Sequence, residues 1–83
     1  MDEREALKKE FEQELQWVKY RQKMLDIMEE KLIQMKQLVE QVKQGNLTAE
    51  ELKLLNYRLN DLSKQVKAID SESRRAEDGK ILE

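Results

Sequence analysis

Lys43-Gln44-Gly45-Asn46-Leu47-Thr48-Ala49-Glu50-Glu51-Leu52 is the stretch whose reading decides the fold. Gly45 and Asn46 are the residue types that most readily take left-handed backbone angles, so together they suit the end of a helix. Lys43 places a cation in the last turn before them, where the carbonyl end of a helix dipole favours it. Thr48 reads as the N-cap of a second helix. Glu51, three residues on, completes a Thr-x-x-Glu capping box, and Leu47 and Leu52 can close a hydrophobic staple around the cap. A stop signal followed at once by a start signal predicts a helical hairpin: a first helix over about 3–44, a turn at 45–48 and a second helix over about 49–77.

Composition agrees. The chain has 83 residues, no proline, only two glycines and 41% charged residues. That length allows one small domain, and the abundance of Leu, Lys, Glu, Gln and Met favours long helices. No stretch alternates apolar and polar residues with β-branched enrichment, so no strand is expected. With no Cys and no His, disulfides, zinc clusters, Cys/His nucleophiles and imidazole acid/base catalysis are excluded. No cofactor or metal is expected. No apolar run reaches the ~20 residues of a membrane span and no signal-peptide core follows Met1, so the expectation is a cytoplasmic protein without a membrane partner. The net charge of −2 is spread in mixed signs, which gives no basic field for nucleic acid.

Outward from the turn, both helices carry apolar seams. In the first, Leu25, Leu32 and Val39 take heptad position a, and Met28, Met35 and Val42 take d. Continued backward, a takes Val18 and Phe11, while d becomes polar at Arg21 and Glu14. Leu15, Trp17, Met24 and Leu38 fall at e or g and widen the face, which implies contact with more than one helix. The second seam is Leu52, Leu55, Leu59, Leu62, Val66 and Ile69, fading through Ser73 and Ala76. Folding at Gly45 brings Leu32 near Leu59 and Leu25 near Val66. It also brings Arg21 toward Asp70, where an exposed ion pair would contribute at most ~1 kcal/mol. Toward the N-terminus, Asp2 is set to cap the first helix with Glu5 as its capping-box partner.

At the far end, Asp78-Gly79 reads as a helix stop. The hairpin is therefore expected over 1–78, with 79–83 a frayed tail and Leu82-Glu83 resembling a purification-tag junction. The first helix then projects a dozen residues or more beyond the second. That projecting end carries Leu7, Phe11 and Leu15, with Trp17 and Val18 at its base and Met24 further along. A lone two-helix hairpin without disulfides or metal is a marginal fold, and scaffolds of this size commonly add oligomerisation. These six residues are the expected interface of a homodimer that forms a four-helix bundle.

Candidate chemistry is sparse. The carboxylate pairs Glu29–Glu30, Glu50–Glu51 and Glu10–Glu14 could act as acid and base only with burial and a pocket, and no catalytic residue or small-molecule substrate is expected. Met28 and Met35 suit core filling between helices, whereas Met24 is open to a role at a partner surface. Beginning eleven residues after Gly45, Asn56-Tyr57-Arg58-Leu59-Asn60 resembles the Ser-Gln-x-Leu-Asp signature of the small sporulation-regulating aspartyl-phosphate phosphatases, which are also helical hairpins. Only Leu59 matches. Asn56 and Asn60 stand where the family has Ser and Asp, so the resemblance implies at most a degenerate relative without activity on a response regulator. The expected function is a non-enzymatic oligomerisation or protein-interaction module. The alternative is a regulatory adaptor that docks another protein through the aromatic end or through Leu54 and Tyr57.

Overall fold

The computed structural model describes the backbone of residues 2–82 and the side chains of residues 2–74. It is a two-helix hairpin: α1 spans Glu3–Gln44 and α2 spans Ala49–Leu82. The start of α1 is fixed by Asp2, whose Oδ1 accepts the Glu5 amide at 2.8 Å. At the turn, Gly45 has φ +78° and Asn46 φ +63°, the left-handed values that end a helix without the usual side-chain clash. The Gly45 amide donates to the Val42 carbonyl at 3.2 Å, which satisfies one of the open carbonyls. Thr48 Oγ1 then accepts the Glu51 amide at 3.1 Å and starts α2. Leu47 is half-buried beside it.

The helices run antiparallel, as the cross-hairpin bonds show. Arg21, midway along α1, donates through Nη1 to Ser73 Oγ in the last third of α2. Lys31, nearer the turn, donates through Nζ to Gln65 Oε1 at 2.6 Å. The result is a slab whose Cα extents are 68 × 18 × 11 Å.

The seam of α2 is the expected one from Leu55 onward: Leu55 is buried and Leu59, Leu62, Val66 and Ile69 are half-buried, whereas Leu52, its expected first member, is exposed beside the turn. On α1 the seam is rotated. Met24, Met28, Lys31, Met35 and Leu38 face α2, whereas Leu25, Leu32 and Val39 remain exposed. The a positions predicted to pack inside the hairpin therefore lie outside it, and positions d and g do the packing as far as Leu38; Val42, the last expected d residue, is exposed next to the turn. At 3.6 residues per turn this is a rotation of about 60°. The physical reason is the width of the apolar face, because side chains at g (Trp17, Met24, Leu38) compete with those at a for the single partner helix. The aliphatic stem of Lys31 joins the g set, with its ammonium carried out to Gln65.

Two further expectations change. Helix α2 does not stop at Asp78-Gly79 but continues to Leu82. A glycine inside a helix costs ~1 kcal/mol relative to alanine, and Gly79 lacks the following Asn and capped restart that accompany Gly45. Of the tail expected at 79–83, Glu83 lies outside the described residues. The overhang is consequently shorter. Counting outward from the Arg21–Ser73 bond, Leu82 comes level with about residue 12, so α1 projects by ~13 Å. Leu7 and Phe11 stand in the projecting part, while Leu15, Trp17 and Val18 lie alongside the end of α2.

Candidate interaction surface

The slab has two unlike flanks beside the seam. On one, α1 presents Gln34, Gln37 and Gln41 and α2 presents Arg58 and Asp61, rimming a shallow groove of about 360 Å³ that Leu38 and Leu62 also line. On the other, Val39 and Val42 of α1 and Leu52, Leu55 and Leu59 of α2 line an aliphatic groove of about 700 Å³ beside the turn, with Lys53 and Asn56 among the lining residues. The exposed a positions of α1 extend this second flank toward the N-terminus. Val39, Leu32, Leu25, Val18 and Phe11 form one stripe with a step of seven residues, and Leu7 continues it. Phe11 is 71% exposed and Leu7 65% exposed.

The six residues expected at an interface separate into two groups. Leu7, Phe11, Leu15 and Val18 are exposed on the stripe or beside it, whereas Trp17 and Met24 are half-buried at g positions toward α2. The stripe itself reaches much farther than the N-terminal end. Its later members, Leu25, Leu32 and Val39, were assigned by sequence to the inside of the hairpin. The signal that could have placed them was the widened face: an α1 with apolar residues at a, d and g has more surface than one helix can cover.

Little of the hairpin is dry. Among the described residues, Met28 and Leu55 are the buried apolar side chains, and Ser73 is the buried polar one. Ser73 sits in a polar cluster that sets the register. Besides Ser73, Arg21 reaches Asp70 Oδ1 through Nη2 at 3.4 Å. Arg74 Nε contacts Asp70 Oδ2 at 3.0 Å from one turn further along α2. The Ser73 hydroxyl in turn donates to the Asp70 carbonyl at 3.2 Å. The hydrogen bond from Arg74 is the main cause holding the Asp70 carboxyl below its ordinary value. Partial desolvation opposes it, and the charge of Arg74 and then Arg21 reinforce it. Ser73, read by sequence as the point where the seam fades, is its last described layer.

Among the described residues no group of three acidic side chains could hold a metal ion, and neither described helix is long and apolar enough to cross a membrane. The acids proposed as pairs, Glu29–Glu30, Glu50–Glu51 and Glu10–Glu14, are exposed. Asn56 and Asn60 are exposed on α2, with Asn56 on the wall of the aliphatic groove. Compared with protein-family models, curated proteins and solved structures, the chain matches none.

Proposed function

We propose that the protein is a non-enzymatic self-association module in which two hairpins pack flank to flank as a four-helix bundle. The observation that carries the reading is the exposed a stripe of α1, continuous with the aliphatic groove beside the turn. In a four-helix bundle each helix packs against two neighbours, so its apolar face must span about three heptad positions. Helix α1 has such a face. Positions d and g meet α2, and position a awaits a second neighbour. The polar flank with its glutamines is the side that would remain in water.

Removing residues 2–18 tests the proposal by light scattering. The full chain is expected to be a dimer, and the truncated chain to dissociate at concentrations where the full chain does not. A full chain that is a folded monomer, or a truncation that leaves dimerisation untouched, would overturn it.

A second reading rests on Leu54 and Tyr57, which stand on the outer face of α2 away from both grooves, Tyr57 at 73% exposure. A bundle built on the a stripe leaves them free, so they are the surface through which the dimer would act as an adaptor. Replacing both with Ser should leave the dimer intact while abolishing adaptor binding, and loss of the dimer would place them in its interface instead.

A further inference from the structure

Resting on the self-association reading, we infer that the two copies pair antiparallel, α1 upon α1, about a two-fold axis at Leu25. The Leu7–Phe11 end of each copy then lies against the aliphatic groove beside the turn of the other. The first argument is where the exposed apolar surface is. Ten of the thirteen exposed large hydrophobic side chains among the described residues belong to α1. On the same flank, α2 presents Asn56, Ser63 and Asp70 between its leucines. An α1 stripe is therefore better matched by a second α1 stripe than by α2.

The second argument is symmetry. The stripe Phe11, Val18, Leu25, Leu32, Val39 is centred on Leu25, so turning a copy end for end lays it on itself. Phe11 then meets Val39 of the second copy, Val18 meets Leu32, and Leu25 meets Leu25. Each outer pair stands ~21 Å from the axis, and Leu7 reaches the level of Val42, at the mouth of the groove. The same axis falls near the middle of α2, so α2 also overlaps its counterpart along its length, and every helix gains an antiparallel neighbour.

Charge is the third argument. Residues 2–14 hold six acids against three bases. Antiparallel pairing brings this segment over the turn end of the second copy, where Lys36, Lys43 and Lys53 balance Glu40, Glu50 and Glu51 and the net charge is zero. Pairing with both turns at one end would set the two acidic segments side by side, which is unfavourable though screened by salt. Area is sufficient. The broad face of the slab, 68 × 18 Å between Cα atoms, is on the order of 1,000 Å², against about 800 Å² per partner in a standard interface.

The chain has no cysteine, so single thiols report the pairing directly. Val18→Cys and Leu32→Cys variants of the full chain would be oxidised separately and as an equimolar mixture, with circular dichroism confirming their helicity. The antiparallel arrangement predicts that the mixture gives several times more disulfide-linked dimer than either variant alone. Phe11→Cys with Val39→Cys should behave likewise. Val18→Cys linking to itself as efficiently as to Leu32→Cys would overturn the antiparallel geometry while leaving the dimer standing. A full chain that sediments as a monomer would instead remove the self-association on which the geometry rests.

Discussion

Changing Leu25 to Lys puts the interface under the most stress with the least damage to the hairpin. Leu25 is 42% exposed in the single hairpin, so the second copy would cover roughly two-fifths of its surface. At ~1.5–3 kcal/mol for complete burial of a leucine, that is ~1 kcal/mol per copy and ~2 kcal/mol per dimer. Because Leu25 faces its own symmetry mate, Leu25→Lys also brings two ammonium groups together. At ~6 Å and an effective dielectric constant of ~20 their repulsion is ~3 kcal/mol, and the flexible stems let the charges swing apart to retain ~1–2 kcal/mol of it. The dimer should therefore be weaker by ~3–4 kcal/mol, a hundred- to thousandfold in dissociation constant. Helicity of the isolated hairpin should change little, since Leu25 is outside the α1–α2 seam and Lys has nearly the helix propensity of Leu. Sedimentation velocity over a dilution series reads the constant, and circular dichroism reads the helicity. A shift of less than about threefold in a variant that stays helical would show that Leu25 is not at the interface.

Three other expectations follow from local geometry. Gly45 has φ +78° and ψ −166°, a region essentially confined to glycine. Gly45→Ala should thus cost ~1–3 kcal/mol in urea unfolding through the backbone alone, since a Cβ there would meet nothing within 4 Å. Thr48→Ala removes the acceptor for the Glu51 amide and should cost ~1 kcal/mol, whereas Thr48→Ser should be nearly neutral. Asp70 has a lowered pKa in the fold, so the folded state binds its proton less readily than the unfolded chain does. The stabilisation it contributes should be fully present above the ordinary value of 3.8 and disappear as the pH falls through the lowered one. Unfolding curves of wild type and Asp70→Asn should accordingly converge in acid. A difference that persists below that window would mean that the Asp70 charge is not what Arg74 and Arg21 hold.

The reading of the turn transferred almost residue by residue, because its determinants are local. Left-handed angles at Gly45 and Asn46, a hydroxyl cap at Thr48 and a carboxylate cap at Asp2 are each set by neighbours within four positions. The Arg21–Asp70 pair was also legible, since counting outward from a short turn fixes the level of every residue to within about one turn. Rotation of α1 about its own axis was not. A heptad pattern states which residues are apolar, but where a, d and g are all apolar it does not say which two face the single partner. Leu25, Leu32 and Val39 were placed inside the hairpin for that reason, and the structure puts them on the flank that the proposed dimer uses. The end of α2 is not legible in the sequence, because Gly79 resembles Gly45 as a residue type while lacking its companions. With α2 continuing to Leu82, the overhang is short, and the exposed apolar surface is the whole stripe rather than its N-terminal end alone.

All of this turns on whether the a stripe of α1 is covered by a second copy. Sedimentation equilibrium of the full chain measures it most directly. The chain mass is 10.0 kDa. The expected result is a helical species of twice that mass that dissociates on dilution. A single helical species at the chain mass across the whole concentration range would contradict the account.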